Sequence, residues 1–113
     1  MKYIVAVIQP DRLNDVLELL VEKGVNLVTV TTVMGRGRQK GISEVYRSHK
    51  EVGSLLRKVK LEIAVNDDYV EAVKEAIVVG AKTGQIGDGK IFVLDLVDVV
   101  RIRTGETGEA AIG

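Results

Sequence analysis

Apolar residues follow a strand-helix-strand order near the start of the chain, and the same order returns in its second half. Residues 2–9 are largely β-branched and apolar, which predicts a buried strand. Five apolar residues at helical spacing then predict an amphipathic helix, with Asp11 as its N-cap and Gly24 as its stop. These five are Leu13, Val16, Leu17, Leu20 and Val21. Residues 26–34, rich in Val and Thr, predict a second strand.

The second half begins with residues 58–66, where apolar and polar side chains alternate as in a strand with one dry face. A second amphipathic helix follows, which Asp67 or Asp68 would cap and Gly80 would end. Its apolar face comprises Tyr69, Ala72, Val73, Ala76 and Ile77. Residues 90–96 predict the last core strand.

Two such units in one chain of 113 residues predict a single α+β domain over residues 1–113. The expected architecture is a ferredoxin-like split βαβ sandwich (βαββαβ), with two helices on one face of a four-stranded antiparallel sheet. The second face of the sheet is also largely apolar, so we expect a homo-oligomer to cover it. The tail, residues 98–113, is a candidate for one more short strand at residues 99–103.

The composition excludes several kinds of site. Without cysteine the chain has no disulfide, thiolate zinc site or Cys nucleophile. Its one histidine, His49, lies in a polar stretch and is more simply explained as solvated than as catalytic. No apolar run approaches the length of a membrane span, and no signal-peptide pattern is present, so a cytoplasmic protein is expected.

Positive charge is concentrated in residues 35–60, which hold eight basic and two acidic residues, whereas the whole chain is neutral. A uniformly basic nucleic-acid binder would not show this distribution. It favours a local anionic ligand or an acidic partner. A solvated basic loop is the simpler alternative.

Glycines cluster in two windows that also carry basic residues, at positions 35–41 and 80–89. Backbone amides that converge beside a lysine commonly hold phosphate oxygens. Residues 84–90 match the G-x-x-x-x-G-K core of a P-loop, but Ile91 stands where a P-loop has Ser or Thr, and a strand follows instead of a helix. The pattern therefore favours a phosphate cradle over a P-loop NTPase, with a turn-rich connection as the alternative.

No convincing catalytic set is present, so we do not expect an enzyme. Arg101 and Arg103 fall on the same side of an extended segment, which is compatible with a solvated edge or with a fork for phosphates. A metal cluster with the usual ligand spacing is absent from the sequence.

Five stretches occur in an order typical of one family, at residues 35–41 (GRGRQKG), 44–47 (EVYR), 58–60 (KVK), 83–93 (TGQIGDGKIFV) and 101–106 (RIRTGE). In these stretches, and along its whole length, the chain resembles the PII nitrogen-regulatory signal proteins of the ammonium-transporter-associated type. The resemblance implies a homotrimer with nucleotide sites in the clefts between subunits, where ATP and ADP compete. It also implies a long T-loop at residues 36–57 and a phosphate-binding loop at residues 80–89.

Site residues follow from the resemblance position by position. The implied nucleotide-binding residues are Thr29, Gly35, Gly37, Arg38, Ala64, Gly87, Asp88, Gly89, Lys90, Arg101 and Arg103, the last two from a neighbouring subunit. Those implied for 2-oxoglutarate are Gln39, Lys40, Gly41 and Lys58. Gln39 would also ligate Mg²⁺ together with the ATP phosphates and 2-oxoglutarate. Arg47 matches the arginine that enters the pore of an ammonium transporter.

The implied function is nitrogen-regulatory signal transduction, in which ATP, ADP and 2-oxoglutarate set the T-loop conformation. The T-loop would then control an ammonium transporter or a nitrogen-assimilation enzyme, with no nucleic-acid partner and with membrane contact only through a transporter. Glu51 replaces the tyrosine that some members have uridylylated, so the resemblance does not extend to that control. Three alternatives remain: a specialised paralogue that regulates nitrogenase or another single enzyme, a slow ATPase, and a single-stranded RNA binder. Strand 58–66 lacks the aromatic residues that the last would need.

Overall fold

The computed structural model describes residues 1–37 and 55–113. Its four strands form one antiparallel sheet in the order β2-β3-β1-β4. The strands are β1 (Lys2–Ile8), β2 (Thr29–Gly35), β3 (Leu56–Val65) and β4 (Gly89–Asp95). This is the predicted ferredoxin-like arrangement, and every predicted core strand lies within about three residues of its observed bounds.

Two main helices, α1 (Leu13–Glu22) and α2 (Val70–Ala81), pack against each other and against the sheet. The predicted alternation of β3 is correct, because Val59, Leu61, Ile63 and Val65 are all buried. They join residues of β1 and both helices in one core cluster, which also holds Ile4, Ala6, Ile8, Val16, Leu20, Val25, Val73, Ala76, Ile77 and Ala81. Burial of this apolar surface is the main favourable term for the fold.

Both helix starts differ from the prediction. Asp11 lies inside a 3₁₀ turn (Pro10–Arg12), and Asp67 and Asp68 lie inside another (Asp67–Tyr69). Neither α-helix has a side-chain cap, because each 3₁₀ turn leads the backbone directly into the helix. Asp67 instead accepts a 2.8 Å hydrogen bond from the N-terminal amine of the described chain.

Of the two predicted helix stops, one is correct and one is wrong. Gly24 ends α1 as predicted, with a φ of +81° that favours glycine. Gly80 does not end α2; it is buried one residue before the helix ends. A Cβ on Gly80 would lie 2.8 Å from Val16 Cγ2 and 2.9 Å from Val16 Cα. The glycine is therefore needed for the close approach of the two helices and has no role as a stop.

The sheet face opposite the helices carries apolar side chains of β1 and β4. Phe92 and Leu94, each 49% exposed, stand on it beside their strand partners Val5 and Tyr3. The Tyr3 hydroxyl donates a hydrogen bond to Glu62 of β3 on this face. The expected homotrimer would cover this surface; in a single chain it stays a prediction.

The tail does not form the short strand considered for residues 99–103. Only one isolated bridge joins Val100 to Thr107, and a short helix, α3 (Glu109–Ile112), follows. The Arg101 guanidinium donates to Glu106 at 2.5 Å, to the Gly113 carbonyl at 2.6 Å and to the Ala110 carbonyl at 3.2 Å. These bonds fold the tail back on itself. In the described ranges no helix has the length and apolarity needed to cross a membrane.

Candidate functional site

A cleft of about 650 Å³ opens at one edge of the sheet. Strands β1 and β2 end at this edge and β3 and β4 begin there, since Ile8 is the register partner of both Val59 and Gly89, and Gly35 is the partner of Leu56. The antiparallel order thus brings the two glycine windows together. Six predicted site residues line the cleft: Gly35, Gly37, Lys58, Gly87, Gly89 and Lys90.

Lys58 is the buried cation of the cleft, with 8% of its surface exposed. Its ammonium group donates a hydrogen bond to the Gly87 carbonyl at 3.2 Å. An ammonium group has three N–H donors, and no other hydrogen bond or ion pair joins Lys58 to the described residues. A buried cation whose other donors are taken by no described residue favours an anionic ligand, because leaving its charge uncompensated is costly.

The loop before β4 is shaped by three glycines with positive φ: Gly84 (+90°), Gly87 (+106°) and Gly89 (+110°). The Asp88 carboxylate accepts hydrogen bonds from the Thr83 N–H at 2.8 Å, the Gly84 N–H at 2.9 Å and the Thr83 hydroxyl at 2.5 Å. These bonds, led by that of the Thr83 hydroxyl, lower the pKa of Asp88 below the ordinary aspartate value. The carboxylate therefore organises its own loop.

Asp88 consequently differs from the glycines beside it. It lines a smaller neighbouring cavity of about 270 Å³ that also includes Lys82 and Lys90, and it does not line the cleft. Because its carboxylate is held by Thr83 and Gly84, only the Asp88 backbone N–H is suited to an anion. Its place among the nucleotide-binding residues stays a prediction.

Gly89 is the tightest point of the loop. A Cβ at this position would lie 1.9 Å from the Val7 carbonyl oxygen, and the φ of +110° also disfavours any other residue. Glycine thus lets the loop join β4 directly beside the end of β1, with Lys90 at the mouth of the cleft.

Four other predicted nucleotide-binding residues lie away from the cleft. Thr29 is six residues before Gly35 on β2, roughly 20 Å along the strand. Ala64 pairs with Tyr3 and lines a separate cavity of about 360 Å³ beside the tail. Arg101 is bonded within the tail, and Arg103 is exposed there. Arg38, Gln39, Lys40, Gly41 and Arg47 lie outside the described residues.

Four residues outside the predicted set of site residues line the cleft, and a fifth lies beside it. Val7, Ile86 and Phe92 form an apolar wall, and Arg36 adds a further cation. Gln9, directly after β1, donates from Nε2 to the Gly87 carbonyl at 2.9 Å. The available signal was the sheet topology, since residues that end β1 and begin β4 must share an edge.

The cleft is chemically suited to binding an organic anion. Among the described residues, its lining includes Arg36, Lys58 and Lys90 but no carboxylate side chain. The apolar wall suits the carbon frame of a ligand, and positive φ at the glycines allows backbone amides to turn toward an anion. In the described part of the chain no three His, Cys, Asp or Glu residues are placed to hold a metal ion.

Comparison with known proteins bears on this interpretation. Residues 1–106 match the sequence profile of the family described as "Nitrogen regulatory protein P-II". The chain is 53% identical over 112 residues to "Nitrogen regulatory protein P-II" of Klebsiella oxytoca and to "Nitrogen regulatory protein P-II 1" of Escherichia coli strain K12, covering 99% of this chain and 100% of each relative. It is equally similar to "Nitrogen regulatory protein P-II 2" of Methanothermobacter thermautotrophicus, of which it covers 97%. A solved structure of Arabidopsis thaliana PII bound to citrate superposes with a TM-score of 0.79 at 40% identity, covering 98% of this chain and 88% of that one.

Proposed function

This chain belongs to the nitrogen regulatory protein P-II family, and on that premise we propose that it senses ATP, ADP and 2-oxoglutarate and relays their levels to a target through residues 36–57. The target is an ammonium transporter or a nitrogen-assimilation enzyme. Family members are signal transducers, so the protein acts by binding and not by catalysis. It works in the cytoplasm.

The observation that carries this proposal is the cleft in which Lys58 and Lys90 meet the two glycine windows. Nucleotide phosphates fit the amides and Lys90 of the loop before β4. The carboxylates of 2-oxoglutarate fit the free donors of Lys58. The citrate bound to the Arabidopsis thaliana relative is another small carboxylate ligand in the same family.

The positions of Thr29 and Ala64 support a site shared between subunits. Thr29 and Gly35 are both expected beside one adenosine, yet they stand roughly 20 Å apart on the same strand. One chain cannot place both against the same ligand. A homotrimer, in which Thr29, Ala64, Arg101 and Arg103 of one subunit complete the cleft of the next, removes the contradiction.

In the proposed function, Mg²⁺ binds together with the two effectors. The described residues offer no cluster of metal-binding side chains, so Mg²⁺ would depend on the ATP phosphates and 2-oxoglutarate, with Gln39 as the protein ligand. Bound Mg²⁺ neutralises charge between phosphate and carboxylate oxygens. The two effectors are therefore expected to bind cooperatively.

Calorimetric titration tests the proposal. The protein is titrated with ATP or ADP, then with 2-oxoglutarate in the presence and absence of Mg²⁺-ATP. We expect 2-oxoglutarate to bind only with Mg²⁺-ATP, and Gln39→Ala to lose that dependence. Tight 2-oxoglutarate binding to the nucleotide-free protein, or no binding of either nucleotide, would contradict the proposal.

Lys58→Met tests the anion role directly, because it keeps the volume of the buried stem and removes the charge. We expect at least a tenfold loss of 2-oxoglutarate affinity, as for loss of charged hydrogen bonds worth about 1.5–3 kcal/mol. Lys60→Met is the matched control, since Lys60 lies two residues along the same strand face but pairs with Glu62 at 3.7 Å outside the cleft. Equal losses in both variants would remove Lys58 from the site.

Arg47→Ala tests the partner contact. Effector binding should stay unchanged, and co-purification with an ammonium transporter should be lost. Arg57→Ala, which removes an exposed cation in the described part of the predicted T-loop, serves as the control for general charge effects. Retention of the transporter by Arg47→Ala would exclude Arg47 from that interface.

A further inference from the structure

The Gly87 carbonyl accepts hydrogen bonds from two side chains, which lie at the ends of different strands. Gln9 Nε2 donates to it at 2.9 Å from the end of β1, and Lys58 Nζ donates at 3.2 Å from the beginning of β3. Gln9 does not line the cleft, and its contact spans 78 positions of sequence. One carbonyl of the glycine-rich loop is thus tied to both neighbouring strands.

This tie determines the direction of the next amide. In a trans peptide the carbonyl of one residue and the N–H of the following residue point in opposite directions, so anchoring the Gly87 carbonyl also orients the Asp88 N–H. Within residues 1–37 and 55–113, no acceptor takes a hydrogen bond from that N–H. The loop therefore presents a donor whose orientation depends on a contact at Gly87.

The two hydrogen bonds to the Gly87 carbonyl differ in whether a bound ligand can displace them. Lys58 is charged and has donors to spare, so a bound carboxylate competes with Gly87 for its ammonium group. Gln9 is neutral and lies outside the cleft, so a ligand in the cleft does not compete for it. Gly87 has a φ of +106°, a glycine conformation in which neighbouring backbone conformations are accessible at little steric cost. Without a side-chain anchor, its peptide is free to rotate.

We propose that Gln9 is a positioning residue of the anion-binding loop. Gln9 holds the Gly87–Asp88 peptide in place, so that the Asp88 N–H stays available to a phosphate when the Lys58 ammonium group turns to a carboxylate. The inference rests on the proposed function, since it takes the phosphates of ATP and ADP as the ligand. Gln9 touches neither effector and acts through the Gly87 carbonyl.

Gln9→Met tests the proposal, because it keeps the length of the side chain and removes the donor. Gln85→Met is the matched control: Gln85 lies in the same loop, and its side-chain amide bonds to no other described residue. Calorimetry with ATP and with ADP should show a three- to tenfold loss of affinity in Gln9→Met, the loss expected for one hydrogen bond, and less than a twofold change in Gln85→Met. If Gln9→Met does not fold, Gln9→Leu removes the donor in another uncharged side chain.

A second readout separates positioning from general stability. In ¹H–¹⁵N spectra of the ligand-free protein, the Asp88 amide should shift in Gln9→Met, and stay unchanged in Gln85→Met. Wild-type affinity in a folded Gln9→Met, or an unmoved Asp88 amide, would overturn the proposal. If the wild-type protein binds neither ATP nor ADP, the proposed function fails, and the Asp88 amide alone still decides whether Gln9 holds the loop.

Discussion

The Val7 carbonyl oxygen lies so close to Gly89 that a Cβ at position 89 would be 1.9 Å away from it. No side-chain rearrangement relieves this contact, because the backbone of Gly89 fixes the position of the Cβ and the Val7 oxygen is itself a backbone atom. The end of β1 and the beginning of β4 can share the edge of the cleft only with glycine at this position.

Gly89→Ala should therefore destabilise the protein by about 3 kcal/mol or more, since overpacking and an unfavourable φ add. Gly84→Ala shares the positive φ but has open space around its Cβ, so a loss of about 1–2 kcal/mol is expected. Gly37→Ala has neither obstacle and should change stability by less than about 1 kcal/mol. Urea unfolding at one protein concentration measures the series, and a Gly89→Ala loss no larger than that of Gly84→Ala would contradict the steric account.

Gly80→Ala should destabilise α2, the reverse of the usual gain of about 1 kcal/mol for glycine to alanine within a helix. The new methyl would meet Val16 Cγ2 at 2.8 Å and the Val16 backbone at 2.9–3.0 Å. We expect a net loss of about 1–3 kcal/mol in the free energy of unfolding. The double variant Val16→Ala/Gly80→Ala should not recover it, because the backbone contact persists; full recovery would show that only the Val16 side chain matters.

Thr83→Val should raise the pKa of Asp88, because the hydroxyl that contributes most to stabilising the carboxylate is removed. The lowered pKa in the folded protein means that this contribution to stability is present above the unfolded aspartate pKa of about 3.9 and is lost as pH falls through the folded value. In Thr83→Val that acid-dependent loss should become smaller and shift to higher pH. Carboxyl NMR titration measures the pKa of Asp88 in the wild type and in Thr83→Val. Asp95, whose pKa is lowered by Lys2, is the internal control.

Leu94→Asp should break the proposed homotrimer, because it places a charge on the half-exposed apolar face of the sheet. Val21→Asp, on an exposed position of α1, is the matched control and should leave the oligomer intact. Sedimentation velocity of both variants and of the wild type measures the outcome. A monomeric wild type would disprove the trimer, and a trimeric Leu94→Asp would place the interface elsewhere.

Much of the fold could be predicted from local patterns. Period-two alternation identified β3, and helical spacing identified the buried faces of α1 and α2. These signals are strong because each arises from one face of one element meeting the core. The glycine windows predict an anion site, which stays a prediction.

The predictions that the structure contradicts share a cause. Asp11 and Gly80 were interpreted by local rules for helix ends, but a 3₁₀ turn and the packing of Val16 determine their roles. The tail residues 99–103 have a strand-like composition, yet Arg101 finds its partners within the tail. Gln9 carries no motif at all, and its contact with Gly87 exists only because β1 and β4 are adjacent.

The amino-acid sequence by itself determined the order and type of the elements, the family resemblance and the residue types available to bind an anion, because each depends on neighbours within a few positions. Only the tertiary structure decided which of these residues share a cleft. It joined residues 35–37 to Gly87, Gly89 and Lys90 and placed Gln9 against the Gly87 carbonyl, while it left Thr29, Ala64, Arg101 and Arg103 elsewhere. The physical reason is that strand pairing across the sheet sets the distances between segments far apart in sequence, whereas the local patterns identify the strands without giving those distances.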